Sequence, residues 1–348
     1  MRKFLSIVVL VMFLLSAQTA DAAIRWRMVA NGTPGTILYN VTQDFARYVY
    51  VLSQGELQIE VFGLGVMFPP FETFDAVTNN VIQAHNLFGL YWPGRDPNFA
   101  LLSRAGCPIT TFSQATYLEK LLFDWQNSLY NPFGQTYVGT MMVVTVYEQL
   151  MSTVPIRTVD DLQGLRVRSS GLGARFFDEL GATTVSLPLT EILPALQTGA
   201  LEAAEWTVWE ENMRLGFHEV VSYVLDPSLH CGILEYLPLI VNTAAWEALP
   251  EHLRNVVDAA RQMVAFQTSL LYVEELRAKR QWAALPHIEI IYWDEECVRR
   301  AREVGLRLMR ELGEASEQGM EFLRIYSGFL WDQGYEAEAK ALGFEPNN

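Results

Sequence analysis

Residues 158–206 read TVDDLQGLRVRSSGLGARFFDELGATTVSLPLTEILPALQTGALEAAEW. Thr158 opens a short capped turn that runs to Leu162. Residues 165–168 then alternate apolar and charged side chains in the manner of a half-buried strand. A helix follows over 172–180, a strand over 184–186, and a helix over 189–198 that Gly199 terminates. Residues 203–206 make one more strand, short and apolar. Strand, helix and strand at this spacing build a parallel sheet with helical crossovers, so the class is α/β.

In an open α/β sheet, ligands collect beyond the carboxyl ends of strands, where the next helix begins. Arg168 stands at such an end, followed by Ser169, Ser170 and Gly171, and alternation puts Arg166 on its side of the strand. A guanidinium grips a carboxylate with two parallel hydrogen bonds, which a lysine cannot copy. Taken alone, an arginine at a strand end is more often a surface residue. Glu205–Trp206 ends the last strand with an acid beside a large ring. That pair reads equally well as a site for a hard cation, which could chelate an organic acid, or as an edge carboxylate beside a core tryptophan. Tyr91 and Trp92, close to Gly94 and Asp96, either wall a cleft or plug a core.

Outward from this stretch the same alternation returns. Strands are expected over 24–30, 57–62 and 81–87, with helices over 36–54 and 71–79. A long intervening segment separates this first α/β unit from the second, which suggests two lobes. From 250 to 285 apolar residues recur at three and four with scarcely a breaker. A helix of that length is far above the mean, so it bridges both lobes or bends between them. Residues 295–326 read as further amphipathic helix, whose Arg299, Arg300 and Glu303 form a solvated face.

The N-terminus carries Arg2 and Lys3, an apolar run from Phe4 to Leu15, and Ala20-Asp21-Ala22, the pattern of a cleaved secretory signal peptide. The run is too short for a membrane anchor. The chain has 348 residues and a formal net charge of −15, which argues against nucleic acid or an anionic membrane as partner. Cys107, Cys231 and Cys297 allow one disulfide at most, and the five histidines form no recognisable metal motif.

The 158–206 stretch resembles the signature of the solute-binding proteins of TRAP (tripartite ATP-independent periplasmic) transporters, the DctP-like family. The family pattern joins D-L-x-G-L-k-h-R to l-G-A-t-p-v-x-l-p-x-x-E-h-y-x-A-L-Q-t-G-x-h-D-g-a-E. This chain supplies Leu162, Gly164, Leu165 and Arg168, then Leu180, Gly181, Ala182, Glu191, Ala195, Leu196, Gln197, Gly199 and Glu205. Phe74-Asp75-Ala76-Val77, Tyr91-Trp92, Phe99-Ala100-Leu101 and Leu215-Gly216-Phe217 are similar to the branch that binds 2-oxo acids and related 2-hydroxy acids such as lactate.

The resemblance implies a two-lobed periplasmic binding protein fold with a long hinge-spanning helix and C-terminal helices. Residues 1–22 would be the signal peptide. Lobe I would hold 23–145 plus about 234–273, lobe II 146–233 plus about 274–330, and 331–348 would be a C-terminal extension. It also implies no catalysis. A small organic acid anion would be captured in the periplasm and passed to the small and large membrane subunits of an ion-gradient-driven transporter. Arg168 would clamp its carboxylate, with Tyr91, Trp92 and Trp206 around it.

In the oxo-acid branch a metal ion bridges ligand and protein through a Glu-Trp pair, here Glu205 and the Trp206 carbonyl. That branch adds a glutamine from the segment before the arginine strand. The corresponding residues are Tyr147-Glu148-Gln149, and with Glu148 in that place two carboxylates would favour calcium over sodium. His230-Cys231-Gly232 departs from the branch. Some relatives dimerise through C-terminal helices, and residues 322–331 are apolar enough for a homodimer. Two other readings stay open. An exported enzyme would need a nucleophile with a base, which Ser169 and Ser170 lack at any recognisable spacing. A receptor for a dicarboxylate or sugar acid, or for sensing, would share the scaffold.

Overall fold

The computed structural model describes residues 23–109, 111–231 and 234–344; the expected signal peptide lies outside them. Strands β1 (Ile24–Val29), β2 (Leu57–Phe62), β3 (Ala84–His85) and β4 (Gln135–Thr145) belong to one sheet. Strands β5 (Leu150–Ser152), β6 (Arg166–Arg168), β7 (Thr183–Val185), β8 (Ala203–Glu205) and β9 (Tyr223–Leu225) belong to another. Later in the chain β10 (Leu234–Asn242) returns to the first sheet and β11 (Glu289–Ile291) to the second. The orders are β2-β1-β3-β10-β4 and β11-β9-β5-β8-β6-β7, so two mixed α/β sheets define a two-lobed fold.

The first α/β unit forms as its pattern dictates. In β1, Trp26 and Met28 are buried while Arg25 and Arg27 face outward, the period-two pattern of a strand with one covered face. Thr36 caps the helix Ile37–Leu52 by accepting from the Tyr39 amide, and β2 then pairs parallel to β1 from Ile24↔Leu57 to Val29↔Phe62. The strand expected over 81–87 shrinks to β3, because the chain leaves the sheet where the Leu87 amide bonds to His85 Nδ1. The intervening segment supplies the helix Phe112–Tyr130 and the long β4. Opposite β4, the register of β10 slips between Leu237 and Pro238, where proline has no N–H to give.

The connections between the sheets matter most for the site. The chain passes from β4 to β5 through residues 146–149, and from β9 back to β10 through residues 226–233. The expected long helix is two helices, Glu251–Ser269 and Leu271–Ala283, with the break at Leu270. Its physical cause lies in Thr268 and Ser269, whose hydroxyls bond back to the carbonyls of Ala265 and Phe266. The first half packs on β4. The second packs on the helix Trp209–Arg214, where Trp282 Nε1 donates to the Trp209 carbonyl at 3.1 Å. The pair thus spans both lobes.

The C-terminal helix also divides, into Glu295–Glu314 and Glu317–Asp332, because Ser316 caps the second by accepting from the Gly319 amide. Trp125 Nε1 donates to the Gln318 carbonyl at 2.7 Å, and the Trp125 and Phe322 rings lie 4.8 Å apart. Phe322, Tyr326, Phe329 and Leu330 are buried within the chain, so the stretch read as a dimer surface is spent on the fold itself. The terminal segment is likewise packed: the helix Glu336–Ala341 buries Ala339, and Leu342 is buried just beyond it. Among the described residues no helix is long and apolar enough to cross a membrane. Among the described residues no disulfide joins Cys107, Cys231 and Cys297.

A buried acid makes one of the contacts between the lobes. Glu211, 1% exposed, accepts from the Ile37 amide at 2.7 Å and so caps the first-lobe helix from the second lobe. Burial pushes its pKa up to about 7, against the Ile37 amide, which lowers it. An acid whose folded pKa is raised stabilises the fold fully below its unfolded value and loses that contribution as pH climbs through the folded one. Stability should therefore fall between about pH 4.5 and pH 7, by about 3 kcal/mol for this group. Urea denaturation across that range should show the fall, and Glu211→Gln should remove most of it; equal slopes for the two proteins would refute this role.

Candidate functional site

β6 lies between β7 and β8, parallel to both, with Arg168 opposite Ala204. That register sets the Arg168 guanidinium beside the last residue of β8. Nη1 donates to Glu205 Oε2 at 2.7 Å and to the Glu205 carbonyl at 3.1 Å, and Nε donates to the Leu187 carbonyl at 3.0 Å. The pair is deeply buried, its side chains 2% and 7% exposed. The Trp206 ring lies 5.1 Å from the guanidinium carbon, in cation–π range. Among the described residues Arg168 Nη2 has no partner, and neither have the neighbouring Ser169 Oγ, Ser103 Oγ and Trp206 Nε1. Such atoms are uncommon in proteins and cost about 1–3 kcal/mol each when left unmet.

Arg168, Ser103 and Trp206 line a cavity of ≈ 20 Å³ between the lobes, with room for about one or two water-sized groups. Tyr91 and Leu90 close it from the first lobe, Arg168, Glu205 and Trp206 from the second. Burial pushes the Tyr91 phenol well above its ordinary value; the Arg168 charge opposes this, while Glu205 and Glu148 reinforce it. Two glycines let the backbone come close. Gly171 has φ +58°, and a Cβ there would meet the Leu90 carbonyl at 3.1 Å; one on Gly173 would meet His230 Cδ2 at 3.0 Å.

Each crossing between the sheets contributes one polar side chain. Glu148 comes from the β4–β5 crossing and His230 from the β9–β10 crossing. His230 Nε2 lies 2.9 Å from Glu148 Oε2, and His230 Nδ1 lies 2.7 Å from Ser228 Oγ, which itself donates to the Glu148 carbonyl at 2.8 Å. Burial lowers the His230 pKa to about 4, with Glu205 raising it and Arg168 lowering it further. Ser228, His230 and Glu148 follow the order of a hydrolase triad, but the Ser228 hydroxyl is fully buried and committed to a carbonyl. It offers no exposed nucleophile.

The structure thus brings Arg168, Tyr91, Trp206, Glu148 and Glu205 together. Trp92 does not join them: it packs on Phe74 at 4.9 Å, donates to the Phe71 carbonyl and belongs to the first-lobe core. Its neighbour Tyr91 holds the cleft position instead. Gln149 points away as well, its amide engaged by Asn212 and the Tyr147 carbonyl, which leaves Glu148 at the cavity. Arg166 stays outside, clasped by Glu202 and the Gly199 carbonyl. His230 and Ser103 escaped sequence reasoning as site residues because His230 lies in an irregular connection and Ser103 at the end of a short 3-10 helix, Pro97–Ser103, that carries no readable apolar period. The one available signal for His230 was the break in family pattern at 230–232.

Two lobes shut over a buried arginine and acid define a solute-binding protein of the two-lobed class. The chain belongs to the DctP family, bacterial extracellular solute-binding protein family 7, whose model matches residues 28–315. It is 24% identical over 309 residues to the monocarboxylate 2-oxoacid-binding periplasmic protein of Nostoc, covering 85% of this chain and 81% of that one. A TRAP transporter solute-binding protein from Bordetella bronchiseptica, crystallised with calcium and picolinate, superposes with TM-score 0.82 at 23% identity, over 92% of this chain and 96% of that one. One from Pseudoalteromonas atlantica, with sodium and pyruvate, gives 0.81 at 20% identity, over 93% and 100%. Proteins of this family are receptors in transport, not enzymes.

Removing one member of a buried pair strands the other. Arg168→Leu should lower the unfolding free energy in urea by about 3–5 kcal/mol, and the double variant Arg168→Leu/Glu205→Leu should recover part of that loss. A single variant as stable as the parent would mean that the pair contributes nothing.

Proposed function

We propose that this chain is the periplasmic receptor of a TRAP transporter and that its lobes close on a small monocarboxylate, a 2-oxo or 2-hydroxy acid. The observation that carries this is the deeply buried Arg168, which lines the cavity and whose Nη2 has no partner among the described residues. A carboxylate presented there would take the remaining arm of the fork. Arg168 is the one basic side chain among the described residues lining the cavity. A single guanidinium favours a monocarboxylate over a dicarboxylate or sugar acid. The name of the Nostoc relative supports the same class.

A bound cation would supply a second positive charge for the acid, and the donors fit one. Ligand atoms of Glu148, Glu205 and His230 all lie within 4.8 Å of one another. The similar crystal structures hold calcium or sodium beside their ligands, and Glu148, Glu205 and the Trp206 carbonyl would offer the oxygens such ions take. Lobe boundaries would fall at the crossings, with 23–145 and about 234–273 around the first sheet and 146–233 and about 274–330 around the second. Export through the N-terminal signal peptide, closure, and docking on the two membrane subunits complete the reading.

A thermal-shift screen with and without divalent cations tests it, since a ligand that binds only the native state raises the melting temperature. Pyruvate, 2-oxobutyrate or lactate should raise it and succinate should not. Arg168→Lys should weaken binding by about 10- to 100-fold in calorimetry, as a two-armed charged contact becomes a point charge. A protein unmoved by every monocarboxylate, with any cation, would falsify the assignment.

A further inference from the structure

We infer that the cation site of this chain selects a divalent transition-metal ion, with His230 Nε2 as a ligand beside the carboxylates of Glu148 and Glu205. The inference rests on the carboxylate-receptor reading above and adds the class of metal. Its starting point is the direction of hydrogens around His230. The Ser228 hydroxyl has one hydrogen, and the Glu148 carbonyl at 2.8 Å can only accept it. The Ser228 oxygen, 2.7 Å from His230 Nδ1, then accepts from the ring, which puts the imidazole hydrogen on Nδ1. Nε2 is left with its lone pair, and that lone pair faces Glu148 Oε2 at 2.9 Å. Two acceptors at that distance need a positive centre shared between them, a proton or a metal ion.

The surroundings are those of a built metal site. A ligating histidine characteristically donates its other N–H to an oxygen that fixes ring and tautomer, which is what Ser228 does here. Phe177 stacks on the ring at 5.2 Å and holds its plane. Glu148, Glu205 and His230 come from three different segments, yet their ligand atoms gather within 4.8 Å. Beside them Arg168 Nη2, on a side chain 2% exposed, has no partner among the described residues, so an anion and a metal can be held together.

Charge and donor type decide the ion. Two carboxylates, one guanidinium and one bound monoanion sum to two negative charges in a buried space. A dication neutralises them and sodium leaves one uncompensated, which is costly without water. Calcium and magnesium take oxygen donors, whereas imidazole suits zinc, iron, nickel and copper. A nitrogen with two carboxylates therefore departs from an all-oxygen site. A 2-oxo acid, chelating through its carboxylate and oxo oxygens, could fill two further positions.

The test uses the full processed chain, stripped with a chelator and titrated with zinc, cobalt and calcium. Zinc should bind at least about 100-fold more tightly than calcium. Cobalt should show visible d–d bands that shift when pyruvate is added. His230→Gln should weaken zinc by about 10- to 100-fold or more while calcium stays within about threefold, on the scale of lost metal-site partners. Calcium binding as tightly as zinc, or cobalt bound with the spectrum of the aqua ion, overturns the inference even should the variant fail to fold. In that event a pyruvate-induced thermal shift with calcium leaves the carboxylate reading standing; no shift with any cation takes both down.

Discussion

The buried Arg168–Glu205 pair is the constraint around which the second lobe is arranged. Two charges removed from water are tolerable only when each meets the other and the remaining donors find oxygens. The register of β6 between β7 and β8 arranges this, since Arg168 stands opposite Ala204 and therefore beside Glu205. The Glu205 and Leu187 carbonyls take further N–H groups. Among the described residues the pairing still leaves Nη2 without a partner, and on the proposed reading that arm of the guanidinium would take an anion. Slipping β6 by one residue would turn Arg168 to the opposite face of the sheet, and slipping β8 would do the same to Glu205.

Local signals explain why so much of this lobe could be read from sequence. Over 158–206, caps, glycine stops and alternation all agree, and the elements fall within a residue or two of their expected bounds. Thr158 and Asp161 form a reciprocal capping box, as a short capped turn requires. Strands β5, β9 and β11 are three residues each and too short to carry a period, so their place in the sheet is set by tertiary pairing. The helix breaks at Leu270 and Ser316 come from side-chain hydroxyls acting on the backbone, which apolar spacing does not register.

The site was legible in proportion to how regular its carriers are. Arg168 and Glu205 end strands, and strand ends point to ligands by a general rule of open sheets. Tyr91 and Trp92 lie in an irregular loop, where adjacent residues face opposite ways for reasons that only packing reveals. One walls the cavity and the other joins the Phe74 core. His230 sits 82 residues from Glu148 in the chain, and no local pattern predicts a contact closed by two separate crossings.

Those two crossings give closure a physical basis. A bound anion can shift the balance between open and closed lobes only through contacts that differ between the two states. Arg168 and Glu205 are fixed within one lobe and on their own would hold an anion with the lobes apart. Tyr91 reaches the cavity only when the first lobe has come down. Glu148 and His230 ride on the connecting segments themselves, so a contact between them fixes the path of both crossings at once. The helix pair adds a third connection, bent at Leu270. On the proposed reading, contacts that Glu148 and His230 make to the bound ligand or its cation would also set the angle between the lobes, and binding energy would thereby drive closure.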